Sequence, residues 1–493
     1  MQKRLFGLET EYALVTDEEF DWLAIQELLG CLQKLPIDLF GQNTDNYIVE
    51  CWLENGARIY RDQSHPEYAT AECENVYNLI CHERAGDELL KAAYDIYLQK
   101  HPEARGKIRL LKSNFAAPKI DEHTSERSEE VSWGSHENYL VAKKAKIRLL
   151  EENLPPMLVS RQIFSGAGHI QPLLERFVLS GRPYHLTQVG NIKDGGHAKQ
   201  AFFVRAHSEA SDIDHDRWWR IQVSSSESNM LEFPVWLRFM TTHFCLRMAE
   251  EGLGISKARY LGQNSTDVFK KIGEDILLKA TIPTRSYHYY RALEFQRYYL
   301  ERAKRLAPLN AEEQMALRDW EWILGLLDCD LEQDENLFRL FGVLDWATKL
   351  WLIKQLMRKN NLALDSQKVA ALDACYHLLG GAPGESVWLA LEAKDRIEPF
   401  IKRFVRPEDI KRAINTPPDS RARLRSDFLK LSKKIKAESP EFELSVTRMD
   451  WGNAWFYTGK NNNRGCVDFG IKNPFLKKSN SLERFREKYA NGT

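Results

Sequence analysis

The sequence lacks paired cysteines, long apolar runs and the pattern of a signal peptide. Its 8 cysteines are scattered over 493 residues with no C-x-x-C pair. This spacing excludes the usual tetrahedral zinc sites and predicts reduced thiols in the core. No segment approaches the roughly 18 uncharged apolar residues that a membrane-spanning helix needs. Glu9 stands where a signal peptide would have its apolar run, so we expect a cytoplasmic protein without a membrane partner.

An excess of charge of either sign is also missing, because 69 Lys and Arg residues face 70 Asp and Glu residues, a net charge of −1. Such a chain has no overall field that would attract nucleic acid, so we expect no nucleic-acid partner. Residues 402–436 depart from this balance, with twelve basic and four acidic residues. This basic stretch has two interpretations: a solvated helix face, or a surface that docks phosphate or an acidic protein.

Familiar nucleotide-binding and catalytic signatures are absent as well. There is no G-x-x-x-x-G-K-[ST] loop, and Gly166-Ala-Gly168 lacks the third glycine of a dinucleotide fingerprint. Neither a G-x-S-x-G nor an H-E-x-x-H string occurs. Any functional site must therefore be found from residue types and their spacing.

The periodicity of apolar residues predicts an α+β fold. Alternation at period two predicts short strands in the first half, and helical periodicity dominates between about residues 285 and 415. The predicted strands are 3–15, 57–62, 107–112, 137–142, 201–206 and 218–224, and the clearest predicted helices are 287–306 and 345–358. Turn residues at 416–419 predict a large domain, residues 1–415, followed by a small C-terminal domain, residues 416–493.

Carboxylates are dense at the N-terminal end. Glu9 and Glu11 share one face of the first predicted strand, Asp62 lies on another strand, and Glu67 follows five residues later. Ionised carboxylates that face one interior must be paired or metal-bound. Mg²⁺ prefers oxygen ligands and often shares them with a nucleotide's phosphates. The pattern therefore indicates either a magnesium nucleotide site on a sheet or a sheet face exposed to solvent.

Other polar residues stand at strand spacing and could contact phosphate or ribose. They are His136 in Gly134-Ser-His-Glu-Asn-Tyr139, Arg205, Arg220, and Asn229 in Ser226-Glu-Ser-Asn229. A single His or Arg in such a strand is as easily explained by a structural role, so none of these residues defines a site alone.

At these residues the sequence resembles the family of Pup ligase and depupylase. The strings that carry the resemblance are Gly7-Leu-Glu-Thr-Glu-Tyr12, Asn55-Gly-Ala-Arg-Ile-Tyr-Arg-Asp62, His65-Pro-Glu-Tyr-Ala-Thr-Ala-Glu72, Arg84-Ala-Gly86 and Gly134-Ser-His-Glu-Asn-Tyr139. Thinner matches keep the same order to Asn473-Pro-Phe475. The resemblance spans essentially the whole chain and removes the solvent-exposed interpretation of the carboxylates.

The resemblance implies a fold and an activity. The fold would be of glutamine synthetase type: a curved antiparallel sheet that holds ATP and Mg²⁺, helices packed behind it, and a small C-terminal domain. The implied enzyme phosphorylates the side chain of the C-terminal Glu of a small protein modifier. A lysine of a protein substrate then attacks the acyl phosphate to form an isopeptide bond. ATP and Mg²⁺ are the expected cofactors.

The resemblance also assigns roles to residues. Glu9, Tyr60 and Glu67 would be magnesium ligands, and Asp62 the catalytic carboxylate. Glu11 and His136 would be secondary metal or phosphate residues. The nucleotide-binding residues would be Arg205, Arg220 and Asn229.

Two signals disagree about the direction of the reaction. Depupylases carry a long insertion before the Asn-Gly-Ala-Arg strand, and the short span from Tyr12 to Asn55 favours a ligase. Three residues separate Asp62 from Pro66, as in depupylases. The family's central string is reduced to Arg205-Ala-His-Ser-Glu209. We expect a ligase, with a depupylase-type isopeptidase or deamidase, or another ATP-dependent carboxylate phosphotransfer enzyme, as the alternatives.

Overall fold

The computed structural model describes residues 4–15, 22–44, 47–63, 65–113, 115–116, 131–172, 174–191, 201–205, 217–256, 259, 261, 265–381, 384–393, 398–438, 446–458 and 465–490. Within these ranges no helix is long and apolar enough to cross a membrane.

The strands are β1 (Phe6–Glu11), β2 (Ala13–Val15), β3 (Leu39–Thr44), β4 (Tyr47–Leu53), β5 (Arg58–Asp62), β6 (His65–Ala69), β7 (Arg109–Leu111), β8 (Phe115–Ala116), β9 (Val131–Ser132), β10 (Ser135–Ala142), β11 (His169–Gln171), β12 (Arg176–Val178), β13 (Gln188–Asn191), β14 (Ala201–Arg205), β15 (Trp218–Ser226), β16 (Thr281–Pro283), β17 (Tyr289–Arg291), β18 (Val446–Met449), β19 (Ala454–Thr458) and β20 (Gly465–Asp468). The helices are α1 (Trp22–Leu32), α2 (Val76–Lys100), α3 (Ile147–Ser160), α4 (Gln162–Ser165), α5 (Glu232–Glu250), α6 (Ser265–Gly273), α7 (Ala292–Ala303), α8 (Ala311–Leu327), α9 (Asp334–Phe338), α10 (Asp345–Asn360), α11 (Gln367–Cys375), α12 (Val387–Glu392), α13 (Pro407–Asn415), α14 (Ala422–Glu438) and α15 (Asn480–Ala490). Short 3₁₀ helices lie at Pro102–Ala104, Arg182–His185 and Glu398–Phe400.

Nine of the described strands form one sheet, in the order β13-β14-β15-β10-β1-β6-β5-β4-β3. Neighbouring strands in this sheet are antiparallel except at one edge, where β13 and β14 run parallel. The predicted α+β class is confirmed, and the predicted antiparallel sheet is corrected to a mixed one. A period-two pattern identifies strand residues but carries no information on strand direction, so this edge could not be predicted.

One face of the sheet is covered by helices. Leu8, Tyr139 and Ile221, from β1, β10 and β15, share a buried cluster with Met157 of α3 and Phe239 of α5. Removal of one fully buried aromatic side chain from such a core costs about 3–5 kcal/mol. The opposite face carries Glu9, Glu11 and Glu67 and is called the acidic face below.

The described residues of the C-terminal segment, 416–438, 446–458 and 465–490, pack on the acidic face beside the carboxylates. Its residues Phe428, Trp451 and Phe469 share a hydrophobic cluster with Trp52 of β4 and Ala69 of β6. The Trp52 and Trp451 rings meet edge to face, with centroids 5.0 Å apart. The segment thus forms one wall next to the site, and its status as a separate domain stays a prediction.

Two sequence predictions need correction in their boundaries. The helix predicted over 287–306 begins only at Ala292. Tyr287 has a left-handed φ of 59°, which an α-helix does not contain, so the helix cannot include this residue. Residues 289–291 form β17. The strand predicted over 3–15 is divided at Tyr12, whose hydroxyl donates to Asp87 of α2 (2.8 Å). The helix predicted over 345–358 is confirmed as α10, which Asn361 ends in the left-handed conformation.

Candidate active site

Four neighbouring strands bring six of the predicted site residues to the acidic face: Glu9, Glu11, Tyr60, Asp62, Glu67 and His136. Glu11 of β1 stands opposite Glu67 of β6, and Tyr60 of β5 stands opposite Glu67 from the other side. Two residues earlier on β1, Glu9 stands opposite His136 of β10. Residues directly opposite each other in antiparallel strands point to the same face. The two-residue period of the strands and their register therefore place these side chains on one surface of the sheet.

A group of four side chains on this face has the composition of a cation site. Glu11, Asp62, His65 and Glu67 each place one candidate ligand atom within 4.8 Å of the others. Burial, followed by the negative charges of Glu11 and Glu9, raises the pKa of Glu67 well above its ordinary value. A divalent cation would relieve this repulsion, and carboxylate oxygens are the donors that Mg²⁺ prefers. The residues present therefore fit a magnesium ion.

Glu9 lies two residues before Glu11 on β1 and outside this group of four, where polar side chains hold it in place. Its carboxylate accepts hydrogen bonds from Asn138 Nδ2 (3.1 Å), Gln222 Nε2 (3.1 Å) and Arg220 Nη1 (3.3 Å). These donors come from β10 and β15, the next strands of the sheet. They fix the position of the carboxylate beside the neighbouring groove.

Glu11 is a buried carboxylate held by two histidines. His136 Nε2 lies 3.0 Å from Glu11 Oε1, and His65 Nε2 lies 3.3 Å from Oε2. The backbone N–H of Gly134 also donates to this carboxylate. Burial alone would raise the pKa of Glu11, but the hydrogen bonds from His136 and His65 hold it well below its ordinary value. Glu11 is therefore an anion at neutral pH.

Tyr60 reaches the same cluster through its hydroxyl. The hydroxyl forms a hydrogen bond with Glu67, and burial together with Glu67 and Glu9 raises the pKa of Tyr60 well above its ordinary value. Arg58, two residues earlier on β5, stacks over the Tyr60 ring at 4.2 Å and pairs with Glu50. Tyr60 therefore presents a neutral phenol that Arg58 orients.

Asp62 stands at the edge of the cluster, where β5 ends. It lies opposite His65 in the register, and its Oδ2 atom is 3.8 Å from His65 Nε2. The Asp62 side chain keeps 29% of its surface exposed, more than its neighbours in the cluster. Asp62 can therefore meet an incoming substrate group, as a catalytic carboxylate must.

The carboxylates separate two open spaces. A groove on the Glu9 side lies between the sheet and the C-terminal segment and is lined by Gly7, Thr70, Leu140, Arg220 and Trp451. A polar cavity of about 350 Å³ on the Glu11 side is lined by His65, His136, Arg182, Tyr184 and His185. Two substrates could therefore reach the carboxylates from two sides, one through the groove and one through the cavity.

The three predicted nucleotide-binding residues are not brought together. Arg220 lies on the acidic face, where it donates to Asn138 Oδ1 (2.6 Å) as well as to Glu9. Arg205, at the end of β14, stands opposite Ile221, whose side chain belongs to the helix-covered core. The register therefore places Arg205 on the other face of the sheet from Arg220.

Asn229 is buried away from both spaces. Its amide donates to Asp345 Oδ2 (3.0 Å) and to the carbonyl of Ser165 (3.3 Å). Asp345 is itself fully buried, which raises the pKa of its carboxyl to about 6. Asn229 therefore lines neither the groove nor the cavity, and its nucleotide-binding role stays a prediction. Its hydrogen bonds connect the segment that follows β15 with α10 and α4 in the core.

Sequence reasoning missed several residues that border the site. His65 could have been found, because it alternates with Glu67 on β6 and so shares its face. Trp451 comes from the C-terminal segment, and Arg182 comes from a 3₁₀ helix, both far from the carboxylates in the sequence. No local pattern points to either of them.

Clustered carboxylates that can hold a divalent cation beside open spaces are the kind of site at which metal-ion catalysis takes place. Comparison with known proteins gives the family, since a model described as Pup-ligase protein matches residues 4–451. A Pup--protein ligase of Acidimicrobium ferrooxidans is 30% identical over 495 residues, 98% of each chain. One of Paenarthrobacter aurescens is 29% identical, covering 88% of this chain and 91% of its own. This chain belongs to the Pup ligase family.

Solved structures agree with this family. The Pup ligase PafA in complex with ADP matches with a TM-score of 0.71 and 25% identity, over 98% of this chain and 97% of that chain. PafA in complex with Pup matches with a TM-score of 0.77 and 24% identity, over 99% of this chain and 93% of that chain. The second likeness supports the fold alone.

Proposed function

We propose that this protein is an ATP-dependent ligase that joins Pup, through its C-terminal glutamate, to lysines of protein substrates. The observation that carries the proposal is the cluster of three carboxylates, Glu11, Asp62 and Glu67, with His65, between a groove and a polar cavity. Its relatives are Pup--protein ligases over nearly their whole length. One space would receive the nucleotide, and the other the glutamate and the lysine.

The groove suits the nucleotide. Trp451 and Leu140 offer apolar surface to a base, and Arg220 offers a cation near phosphates. The groove ends at Glu9, which would place the triphosphate over the carboxylates. Glu9, Tyr60 and Glu67 would hold magnesium, with Glu11 and His136 beside them. When bound, magnesium would offset the charge of the phosphates during transfer.

The chemistry has two steps. In the first step, the side-chain carboxylate of the terminal glutamate attacks the γ-phosphorus, the bond to ADP breaks, and an acyl phosphate forms. In the second step, a lysine amine attacks the acyl carbon, phosphate leaves, and an isopeptide bond forms. Lysine is protonated at neutral pH and loses protons as it attacks. Asp62 is the most exposed of the three carboxylates in the cluster and would accept a proton from the amine.

The remaining predictions accord with this proposal. The sheet would be the curved sheet of glutamine synthetase type, and residues 416–493 the small C-terminal domain that closes the groove. We expect the enzyme to act in the cytoplasm, without nucleic-acid or membrane partners. The short connection between Asp62 and Pro66 is the one feature typical of depupylases, so the opposite reaction is the second candidate.

A conjugation assay tests the direction of the reaction. The wild-type protein is incubated with Mg-ATP, a lysine-rich acceptor protein and Pup that ends in glutamate. Covalent adducts and ADP in equal amounts are expected. In a parallel reaction the protein receives purified conjugate or Pup that ends in glutamine. Cleavage or deamidation without adduct formation would contradict the ligase proposal and support the depupylase.

A further inference from the structure

We propose that Arg182 binds the α-carboxylate of the modifier's C-terminal glutamate and so places its side-chain carboxylate at the reaction centre. This inference rests on the proposed function and names the residue that would recognise a free C-terminus. Arg182 is the first residue of the 3₁₀ helix Arg182–His185, and only 5% of its surface is exposed. It borders the polar cavity on the Glu11 side of the cluster.

The guanidinium of Arg182 is fixed by neutral acceptors. Its Nε atom donates to the carbonyl of Ser224 (3.1 Å), and its Nη1 atom donates to Ser132 Oγ (2.7 Å). Nη1 also lies 3.4 Å from the carbonyl of Trp133. Within the described part of the chain, Nη2 has no hydrogen-bond partner, and no carboxylate forms an ion pair with Arg182. One edge of the guanidinium is thus held in place while a donor remains unused.

A buried cation without an ion pair is costly. Burial lowers the pKa of Arg182, while the charges of Glu11 and Glu227 act in the opposite direction. Glu227 is already committed, because it accepts hydrogen bonds from the backbone N–H groups of Ala167, Gly181 and Arg182. Arginine stays protonated in proteins, so an anionic ligand in the cavity would complete its interactions.

Two other arginines on the sheet side, one buried and one mostly buried, already have carboxylate partners. Arg161 pairs with Glu137 (2.8 Å), and Arg220 pairs with Glu9 (3.3 Å). Among the described residues that line the cavity, Arg182 is the one arginine or lysine. The cavity therefore has a single fixed cation, which matches one carboxylate.

The position of Arg182 relative to the cluster fits a glutamate. Arg182 is bonded to Ser132, and the Gly134 N–H, two residues along the same segment, donates to Glu11. In a C-terminal glutamate, only Cα, Cβ and Cγ separate the α-carboxylate from the side-chain carboxylate. A residue anchored at Arg182 by the first group can reach the carboxylate cluster with the second. A free C-terminus would thus be distinguished from a glutamate inside a chain.

The test compares two probes on three proteins. The probes are fluorescent Pup ending in glutamate and the same Pup with an α-carboxamide on that glutamate. The proteins are wild type, Arg182→Gln and Arg176→Gln, a matched control at an exposed arginine of β12 that pairs with Glu274. Binding is measured by anisotropy in the presence of Mg-ADP, so the readout does not depend on turnover. Melting with and without Mg-ATP is measured for each protein.

The wild type is expected to bind the carboxylate probe about tenfold to a hundredfold more tightly than the amide, the range of a charge-assisted hydrogen bond. Arg182→Gln should bind both probes as weakly as wild type binds the amide. Arg176→Gln should behave as wild type. All three should be stabilised equally by Mg-ATP.

Three results would overturn the inference. If wild type binds both probes equally, the α-carboxylate is not recognised, and this holds even if Arg182→Gln does not fold. If Arg182→Gln keeps the full preference for the carboxylate probe, another residue recognises it. If Arg182→Gln loses its stabilisation by Mg-ATP, Arg182 contacts phosphate instead. Failure of wild type to bind either probe contradicts the proposed function itself.

Discussion

Arg425 Nη2 donates a hydrogen bond to Glu72 Oε2 at 2.5 Å, across 353 positions of the sequence. Arg421 Nε donates to the other oxygen of the same carboxylate at 2.6 Å. Both arginines are almost fully buried, so two members of the basic stretch hold the C-terminal segment against the sheet. The interpretation of this stretch as a docking surface is therefore wrong for Arg421 and Arg425, because neither guanidinium faces solvent.

Removal of one buried arginine should loosen this attachment. In Arg425→Gln, the mostly buried carboxylate of Glu72 keeps one arginine partner where it had two. Loss of one partner of a buried ion pair lowers the free energy of unfolding by about 3–5 kcal/mol. Arg423 lies on the same helix but is exposed, and it pairs with Asp419 (3.3 Å), which is itself partly exposed. Arg423→Gln should cost less than about 1 kcal/mol. Urea denaturation of both variants measures the difference, and equal costs would contradict a structural role for Arg425.

The same ion pair should make stability depend on pH. Burial alone would raise the pKa of Glu72, but Arg425 and Arg421 lower it from 4.5 to about 2. The stabilisation is complete above pH 4.5 and is lost as the pH falls towards 2, since the unfolded state takes up its proton first. At about 1.4 kcal/mol for each pH unit, the loss is about 3 kcal/mol.

The measurement compares wild type with Glu72→Gln, which cannot titrate at this position. The difference in their free energies of unfolding should become smaller as the pH falls from 5 to 3. This range covers roughly the upper part of the interval in which Glu72 takes up its proton. A difference that stays constant over this range would show that Glu72 has an ordinary pKa in the folded protein.

The acidic face was predictable from sequence because it follows from alternation. Glu9 and Glu11 must share a face of one strand, and Tyr60 and Asp62 must share a face of another. The resemblance to the family then predicted that these strands belong to one sheet. The partners of Glu72 and the position of Arg182 were not predictable, because tertiary contacts over long separations create them. Arg205 differs for another reason: its strand was recognised, but a spacing does not reveal which face packs against helices. Asn229 lies beyond the end of β15, in a segment whose path no strand pattern predicts.

Glu67 should lower the free energy of unfolding of the protein as long as no magnesium is bound. Its raised pKa means that its charge is unfavourable in the folded protein without ligand. Glu67→Gln should therefore melt at or above the wild-type temperature when no ligand is present. The variant should lose most of the stabilisation by Mg-ATP, which for wild type is about 2.7 kcal/mol at a hundredfold excess over Kd.

Differential scanning fluorimetry with Mg-ATP, with ATP plus EDTA and without ligand measures this effect. Glu88→Gln, at an exposed position of α2, is the control and should respond to Mg-ATP as wild type does. A Glu67→Gln protein that is clearly destabilised without ligand, yet still responds fully to Mg-ATP, would remove Glu67 from the magnesium site.

Asp62 should act in the second step of the reaction and not in the binding of Mg-ATP. Asp62→Asn keeps the size of the side chain and one acceptor oxygen, but it loses the basicity that accepts a proton from lysine. Conjugation to lysine should therefore fall by about 10²–10⁴-fold, the usual contribution of a general base. The melting temperature and its response to Mg-ATP should stay at wild-type values, because Asp62 lies at the exposed end of β5.

Hydroxylamine separates the two steps, because it is unprotonated at neutral pH and attacks an acyl phosphate without help from a base. With Pup, Mg-ATP and hydroxylamine, Asp62→Asn should still form the hydroxamate of Pup at a rate close to wild type. Loss of both the hydroxamate and the lysine conjugate would move Asp62 into the phosphorylation step. A variant that conjugates lysine normally would exclude Asp62 as the base and leave the buried carboxylate of Glu11, which His136 and His65 contact, as the next candidate.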